Sequence, residues 1–387
     1  MSTGPSTGSG PGPARESPLG VDPLLVESAT RLLAETSTFE AVQAAESEGW
    51  AAAVWDPFAA AGFAWIGVGE DAGGSGGTVA DAMAVLGLCG RFAAPIPAAE
   101  SGVLGGWLLA SAGLELPDGA VTVVPDPSGL VADGGSLSGR ATRVPWGRRA
   151  DRVVALVGSG PETFVVSVDP AAASVEPDSN LAGEPRDSIT FDATPAQVAP
   201  APPGVDHGSL LQRGALARAV MMAGAMQAMS ELTVTYTGER QQFGRPVARF
   251  QAVQQHLVWG AQDAAVVTMA ADRATLVAAK GGDASWEIGA AKLLADECAR
   301  SATRAAHQAH GAMGMTQEYP LHHLSRRLWA WRHEWGDERH WSTWLGRTVA
   351  ARGADLLFPT ITDGLAAGLA DGLTPGPTEG AGVPQNR

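Results

Sequence analysis

Cysteine is nearly absent from this chain: Cys89 and Cys298 are the only two in 387 residues. Two thiols build neither a disulfide framework nor a structural zinc set, so a reduced, cytoplasmic setting is the default expectation. Basic residues are few, 26 Lys and Arg against 41 Asp and Glu, and the net charge of −15 argues against a nucleic-acid partner, which needs a basic surface. It leaves room for an anionic cofactor in a local basic pocket. No apolar run reaches the ~18 residues of a membrane span, so no membrane partner is expected. Residues 1–20 are rich in Ser, Gly and Pro and lack the apolar centre of a secretion signal, which makes a disordered tail the expectation.

What remains is ordinary for a folded protein, 45% hydrophobic and 17% charged, and long enough for two or three domains. In residues 21–116, apolar residues such as Leu25, Ala29, Leu32 and Leu33 recur at helical spacing. Thr78 or Asp81 is placed to cap a helix before residue 91, and another short helix is expected at 103–112. From residue 117 the texture changes to short β-branched runs such as AVTVVP, DRVVALVG and TFVVSVD, with turn residues between them. No helices alternate with these runs, which excludes a doubly wound sheet. From 205 the periodicity is helical again, over 210–238, 250–280 and 286–310 and on either side of Gly336. The expected fold is therefore an α+β multidomain one: an N-terminal helical domain (21–116), a small middle β domain (117–204) and a C-terminal helical bundle (205–357). Residues 358–387 are expected to be mostly disordered.

Several patterns match motifs only formally. Gly67-Val68-Gly69-Glu70-Asp71-Ala72 has dinucleotide-fingerprint spacing, but no helix follows to meet a pyrophosphate. Gly73-Gly74-Ser75-Gly76-Gly77 has nucleophile-elbow spacing without the strand that an elbow needs. The stretch 307–345 holds six of the eight histidines and five of the twelve tryptophans. His307 and His310 share a helix face, yet no further ligand stands at helical spacing, and His322 and His323 follow a proline break. No metal is expected, and the histidines are read as capping or core groups. Trp341, Trp344, Leu345, Thr348 and Val349 form a core stripe. More informative is Glu239-Arg240-Gln241-Gln242-Phe243-Gly244, followed by Phe250-Gln251. It reads either as a capped helix end or as an arginine and amides set to hold an anionic, ring-bearing cofactor.

Taken together, RQQFGRP from Arg240, Gln251, QAHGAMGM from Gln308, EYP from Glu318 and Arg326 resemble the acyl-CoA dehydrogenase family, and GEDAGGSGG from Gly69 fits it. The resemblance spans about residues 21–355. It implies FAD as cofactor, an acyl-CoA substrate, a homo- or heterotetramer with FAD at subunit interfaces, and an electron-transfer flavoprotein as acceptor. In the family, the arginine matching Arg240 meets the FAD pyrophosphate across a subunit interface. Gln242, Phe243 and Gln251 match other positions on that surface, and Gln308, Gly311 and Ala312 match the segment of the neighbouring subunit that cradles the flavin. The implied reaction is α,β-desaturation: a carboxylate removes the α-proton and a hydride passes to the flavin.

Two departures stand out. The usual base precedes the glycine matching Gly336, and that position here is Trp335, with the carboxylate one residue earlier at Glu334. A second family position for the base falls near Gly214. Glu334 is therefore the candidate base. The β-domain segments that line the flavin in the family correspond to Val121–Asp126 and Arg143–Trp146, and neither keeps the family pattern. Alternative expectations are a catalytically incomplete subunit that completes FAD sites in a heteromeric dehydrogenase, and a flavin-dependent monooxygenase on the same fold.

Overall fold

The computed structural model describes residues 19–365; the expected tails at 1–18 and 366–387 lie outside that range. The chain has helical N- and C-terminal regions flanking a small β-sheet domain, as the sequence pattern expects. Helices α1 (Pro23–Thr36), α2 (Phe39–Glu48), α3 (Ala52–Ala60) and α4 (Val79–Arg91) come first. Both expected caps act on α4: Thr78 is the N-cap and Asp81 sits at the third helical position, forming a capping box. The short helix expected at 103–112 starts earlier, as a π-turn over Ala99–Gly106 that runs into α5 (Trp107–Ser111). That earlier start buries Glu100.

Strands β1 (Val121–Val123), β2 (Leu130–Asp133), β3 (Ser136–Pro145), β4 (Arg152–Val157), β5 (Phe164–Val168), β6 (Ser174–Glu176) and β7 (Arg186–Pro200) form one sheet in the order β1-β4-β5-β7-β3-β2, with β6 also paired to β7. Only the β1–β4 pairing is parallel. The long β7 pairs with β3, β5 and β6, and its first residues, Arg186 and Asp187, deliver charge to the domain junction. Val144, Val166, Ile189 and Phe191 belong to the buried core of the β domain.

The C-terminal bundle contains α6 (His207–Glu239), α7 (Gln251–Ala279), α8 (Ser285–His310), α9 (Leu321–Trp331) and α10 (Glu338–Arg352), with a hairpin of β8 (Gln241–Gln242) and β9 (Arg245–Pro246) between α6 and α7. Helix α11 (Leu357–Asp363) continues regular structure past the expected boundary at 357. No described helix is long and apolar enough to cross a membrane.

Helix α6 is apolar nearly all round over residues 214–226 because it is the axis on which the other elements pack. Its crossing with α4 brings backbone against backbone: a Cβ added at Gly224 would lie 2.0 Å from the carbonyl oxygen of Gly87, and one at Gly90 would lie 2.0 Å from that of Met221. Gly224→Ala must therefore force α4 and α6 apart, with an expected loss of about 2–3 kcal/mol or failure to fold. Near the end of the same helix a Cβ at Gly238 meets nothing within 4 Å. Gly238→Ala should therefore gain about 0.5–1 kcal/mol from helix propensity. Urea denaturation of both variants checks this reversal of sign.

Candidate active site

Two groups of candidate residues occupy opposite ends of α6. The first is at its C-terminal end. Arg240 caps the helix, Gln242 lies on β8 and Phe243 at the hairpin tip, in a left-handed conformation with φ 51° and 91% exposed. Gln251 opens α7. Helix α8 runs antiparallel to α7 and ends at His310, so Gln308, Gly311 and Ala312 come to the same end of the bundle. Tyr236 of α6 stacks on His310 of α8, ring centroids 4.5 Å apart, and joins the two. Arg240, Gln242, Gln251, Gln308, Gly311 and Ala312 are all exposed. Among the described residues no carboxylate pairs with the Arg240 guanidinium. A set of unspent donors beside an exposed ring, carried on rigid helix ends, suits an extended anionic cofactor. The histidines of this region make core hydrogen bonds: His307 Nε2 to Ser325 Oγ at 3.0 Å and His310 Nδ1 to the Ala306 carbonyl at 2.8 Å.

The second group surrounds Glu334. Glu334 follows α9 and reaches back to α6, where its Oε2 accepts from Arg218 Nε at 2.7 Å. Its Oε1 accepts from Arg186 at the start of β7, with Nε at 2.8 Å and Nη2 at 2.7 Å. The network continues outward: Arg218 Nη2 donates to Glu100, Arg186 Nη2 to Glu184 at 3.0 Å, and Arg327 Nε pairs with Glu184 at 3.3 Å. Trp331 Nε1 also donates to Glu184 at 3.0 Å. Three carboxylates thus interleave with three guanidiniums, and every side chain but Glu334, itself one-tenth exposed, is at most 4% exposed. Burial alone would raise the Glu334 pKa, but the charges and hydrogen bonds of Arg186 and Arg218 outweigh it and hold the carboxyl at about 2. Burial works against the charged form of both arginines as well, yet the carboxylates around them raise their pKa values.

Trp335 and Gly336 turn the chain through left-handed conformations, φ 58° and 85°. The buried ammonium of Lys292 fastens this turn, donating to the carbonyls of Arg332 at 3.2 Å and Gly336 at 2.8 Å while paired with Asp296 at 2.7 Å. Trp341 Nε1 donates to the Trp335 carbonyl at 3.1 Å. The Trp335 ring then lies directly over Gly214 of α6, where an added Cβ would come within 2.1 Å of ring carbon Cδ2. The positions that the resemblance pairs with a base, Trp335 and Gly214, do meet in space, and an indole fills the place of a carboxylate.

Beside this plug, Pro125, Asp126, Arg143, Pro145, Arg186, His333, Glu334 and Trp335 help to line a cavity of about 220 Å³. The β-domain segments singled out in the sequence therefore do face the Glu334–Trp335 loop. The cavity is smaller than the ~300–1,000 Å³ of usual small-molecule sites. Of the arginines that could attract an acyl-CoA, Arg218 is consumed by Glu100 and Glu334, Arg332 pairs with Glu338 at 3.0 Å, and Arg213 stacks over Trp107 at 4.2 Å, where burial lowers its pKa to about 10. The formal motifs dissolve as well. No α-helix starts after Gly69 until Val79, and the Ser75 hydroxyl donates to the Gly62 carbonyl at 2.7 Å.

The sequence pattern singled out none of Glu100, Glu184, Arg186 and Arg327, and offered Arg218 only as one of several arginines that could supply local charge to an acyl-CoA. A signal was present for two of them. Glu100 in PIPAAESGV and Arg218 in ALARAVMMAGAM are lone charges in apolar runs, and a buried charge requires a partner.

The depressed pKa of Glu334 makes it a stabilising group whose contribution is complete above its unfolded value near 4.5 and is lost as pH falls toward 2. Glu334→Gln should cost about 3 kcal/mol at pH 7, and the gap to the parent should narrow as pH falls through that window. Urea denaturation over a pH series checks this, and equal stability at pH 7 would contradict it.

Comparison with known proteins agrees with this architecture. The family model described as acyl-CoA dehydrogenase, C-terminal domain, matches residues 207–336. The chain is 28% identical over 308 residues to acyl-CoA dehydrogenase IpdE2 of Mycobacterium tuberculosis, covering 79% of this chain and 89% of that protein. Among solved structures, a chain of the ChsE4-ChsE5 complex from Mycobacterium tuberculosis superposes with a TM-score of 0.75 at 21% identity, covering 85% of this chain and 97% of the other. PigA with FAD and proline gives a TM-score of 0.74 at 19% identity over the same shares.

Proposed function

The chain belongs to the acyl-CoA dehydrogenase family, and from that premise we propose that it is the base-less subunit of a heteromeric acyl-CoA dehydrogenase, completing FAD sites whose chemistry a partner subunit performs. Its fold and relatives place it in the acyl-CoA dehydrogenase-like class of FAD-dependent oxidoreductases, which act on acyl-CoA thioesters. The observation that carries the finer reading is the Trp335 ring seated over Gly214. Removal of a weakly acidic α-proton calls for a carboxylate freed from counterions and raised in pKa. Glu334 is the reverse, an anion clamped between two guanidiniums and depressed to about 2. A carboxylate held in this way does not suit desaturation with Glu334 as the base.

The placement of the other candidates supports the same conclusion. Arg240 stands 22 residues beyond Arg218 on or at the end of α6, about 33 Å along the axis at 1.5 Å per residue. The flavin-facing donors of this chain and its Glu334 loop therefore belong to two different sites. Arg240 would hold the pyrophosphate of an FAD bound mainly by the neighbouring subunit. Gln242, Gln251, Gln308 and the backbone at Gly311 and Ala312 would flank it, with Phe243 packed against its rings. The chemistry that FAD supplies when bound is acceptance of a hydride. Among the described residues none is placed with the freedom from counterions that this base needs, so the partner would supply it. The acyl-CoA substrate and an electron-transfer flavoprotein acceptor belong to the same proposal, on the partner's side of the interface. The relation of two unlike subunits is given for the ChsE4-ChsE5 complex by its name. It is extended here on the strength of the closed base position.

The test is the visible spectrum of the purified protein. Expressed alone, the chain should be colourless. Co-expressed with the catalytic family members of its source genome, it should yield a yellow complex that acyl-CoA bleaches anaerobically. Arg240→Ala in this chain should lower the flavin content of that complex at least about tenfold, the equivalent of one lost charge-assisted contact. A yellow isolated chain that acyl-CoA bleaches would overturn the proposal.

A further inference from the structure

His322 and His323 follow a proline break with no third donor at helical spacing. The third donor comes from elsewhere in the chain. Glu46, near the end of α2, faces both histidines at the start of α9. Its Oε1 lies 3.0 Å from His323 Nδ1. The two imidazole rings stand 4.0 Å apart, centroid to centroid. One ligating atom from each of Glu46, His322 and His323 lies within 4.8 Å of the others.

We infer that Glu46, His322 and His323 form a binding site for a divalent transition-metal ion of the zinc class, joining α2 of the N-terminal region to α9 of the bundle. Two imidazoles and one carboxylate make a three-protein-ligand set with a fourth position left for water. Nitrogen donors select zinc, cobalt or nickel over magnesium and calcium. The 3.0 Å separation of Glu46 Oε1 and His323 Nδ1 is close to the ~3.3 Å edge of a tetrahedron with 2.0–2.1 Å bonds, so an ion can replace the proton shared between them. The widest gap closes with a shift of about 1.5 Å, within reach of the half-buried His322 on the first turn of its helix.

The surroundings prepare the donors. His322 Nδ1 lies 2.8 Å from the Tyr319 carbonyl, which fixes its proton there and leaves Nε2 as the ligand. His323 is 3% exposed, and its Nδ1 is the nitrogen that faces Glu46. The Glu46 carboxylate is already oriented, with His323 Nδ1 at 3.0 Å from Oε1 and Arg326 Nη1 at 2.6 Å from Oε2. Arg326 bears on the site in two ways. Its Nη1 donates to Glu46 Oε2 at 2.6 Å and orients the carboxylate, while its charge, with that of Arg327 alongside, opposes a second cation. The site is therefore a weakened one, and removal of Arg326 should strengthen it.

The experiment is calorimetric titration of the chelator-stripped full chain with zinc chloride, and separately with magnesium chloride. One saturable zinc equivalent and no magnesium uptake are expected. His322→Gln, at a half-exposed position that leaves the core untouched, should weaken zinc binding at least tenfold. Arg326→Gln should tighten it, and His340→Gln, on α10 away from the cluster, should not change it. A parent chain that takes up no zinc saturably, or one whose affinity is the same in His322→Gln, overturns the inference. Tightening in Arg326→Gln separates a metal site from a purely structural Glu46–His323–Arg326 contact, which that variant can only weaken. Because the readout is metal uptake, it is independent of the flavin proposal.

Discussion

Six buried charges hold the three parts of this protein together. Glu100 comes from the N-terminal region, Glu184 and Arg186 from the β domain, and Arg218, Arg327 and Glu334 from the bundle. No pair within this set is self-sufficient, since each interior member touches two neighbours. The desolvation of six ionised groups is offset only while all are in register, and loss of one leaves a buried charge uncompensated. The network therefore fixes how the domains meet. It also fixes the backbone of the loop that carries Glu334, and with it the place of Trp335.

The seating of Trp335 on α6 rests on a single steric fact. Trp335 can lie flat on α6 only because residue 214 has no side chain, and a carboxylate at 214 would have to evict the indole. Lys292 and Trp341 hold the loop from the other side through its carbonyls. The Arg240–Phe243 hairpin and the side chains of Gln308 and Ala312 are built in the opposite style, exposed and with no carboxylate paired to Arg240 among the described residues, while the buried His310 between them stacks on Tyr236. A chain closed at one end of α6 and open at the other is what a subunit serving its neighbour's site would require.

Much of this was legible in the sequence. The α, β, α order followed from the change of hydrophobic period near residues 117 and 205, because period reports which face is buried. The Arg240 and Gln308 segments were legible because their chemistry is local: an arginine, amides and glycines within a few residues of one another. The role of Glu334 was not. Its counterions lie 148 and 116 residues away in sequence, and a carboxylate beside a glycine looks the same whether it faces a substrate or two guanidiniums. The same limit hid Glu46 from His322 and His323. Lone charges in apolar runs, Glu100 and Arg218, were the available warning that an ion network lay in the core.

The role proposed for Glu334 is to hold the fold and leave the α-proton to another residue. It is tested most directly by flavin reduction in the assembled complex, under anaerobic excess acyl-CoA, with Glu334→Gln in this chain and rates normalised to bound flavin. The expected rate lies within about threefold of the parent, a change far smaller than the 10²–10⁴-fold that a general base contributes. A loss of about 10²-fold or more, with flavin content and fold retained, would contradict it.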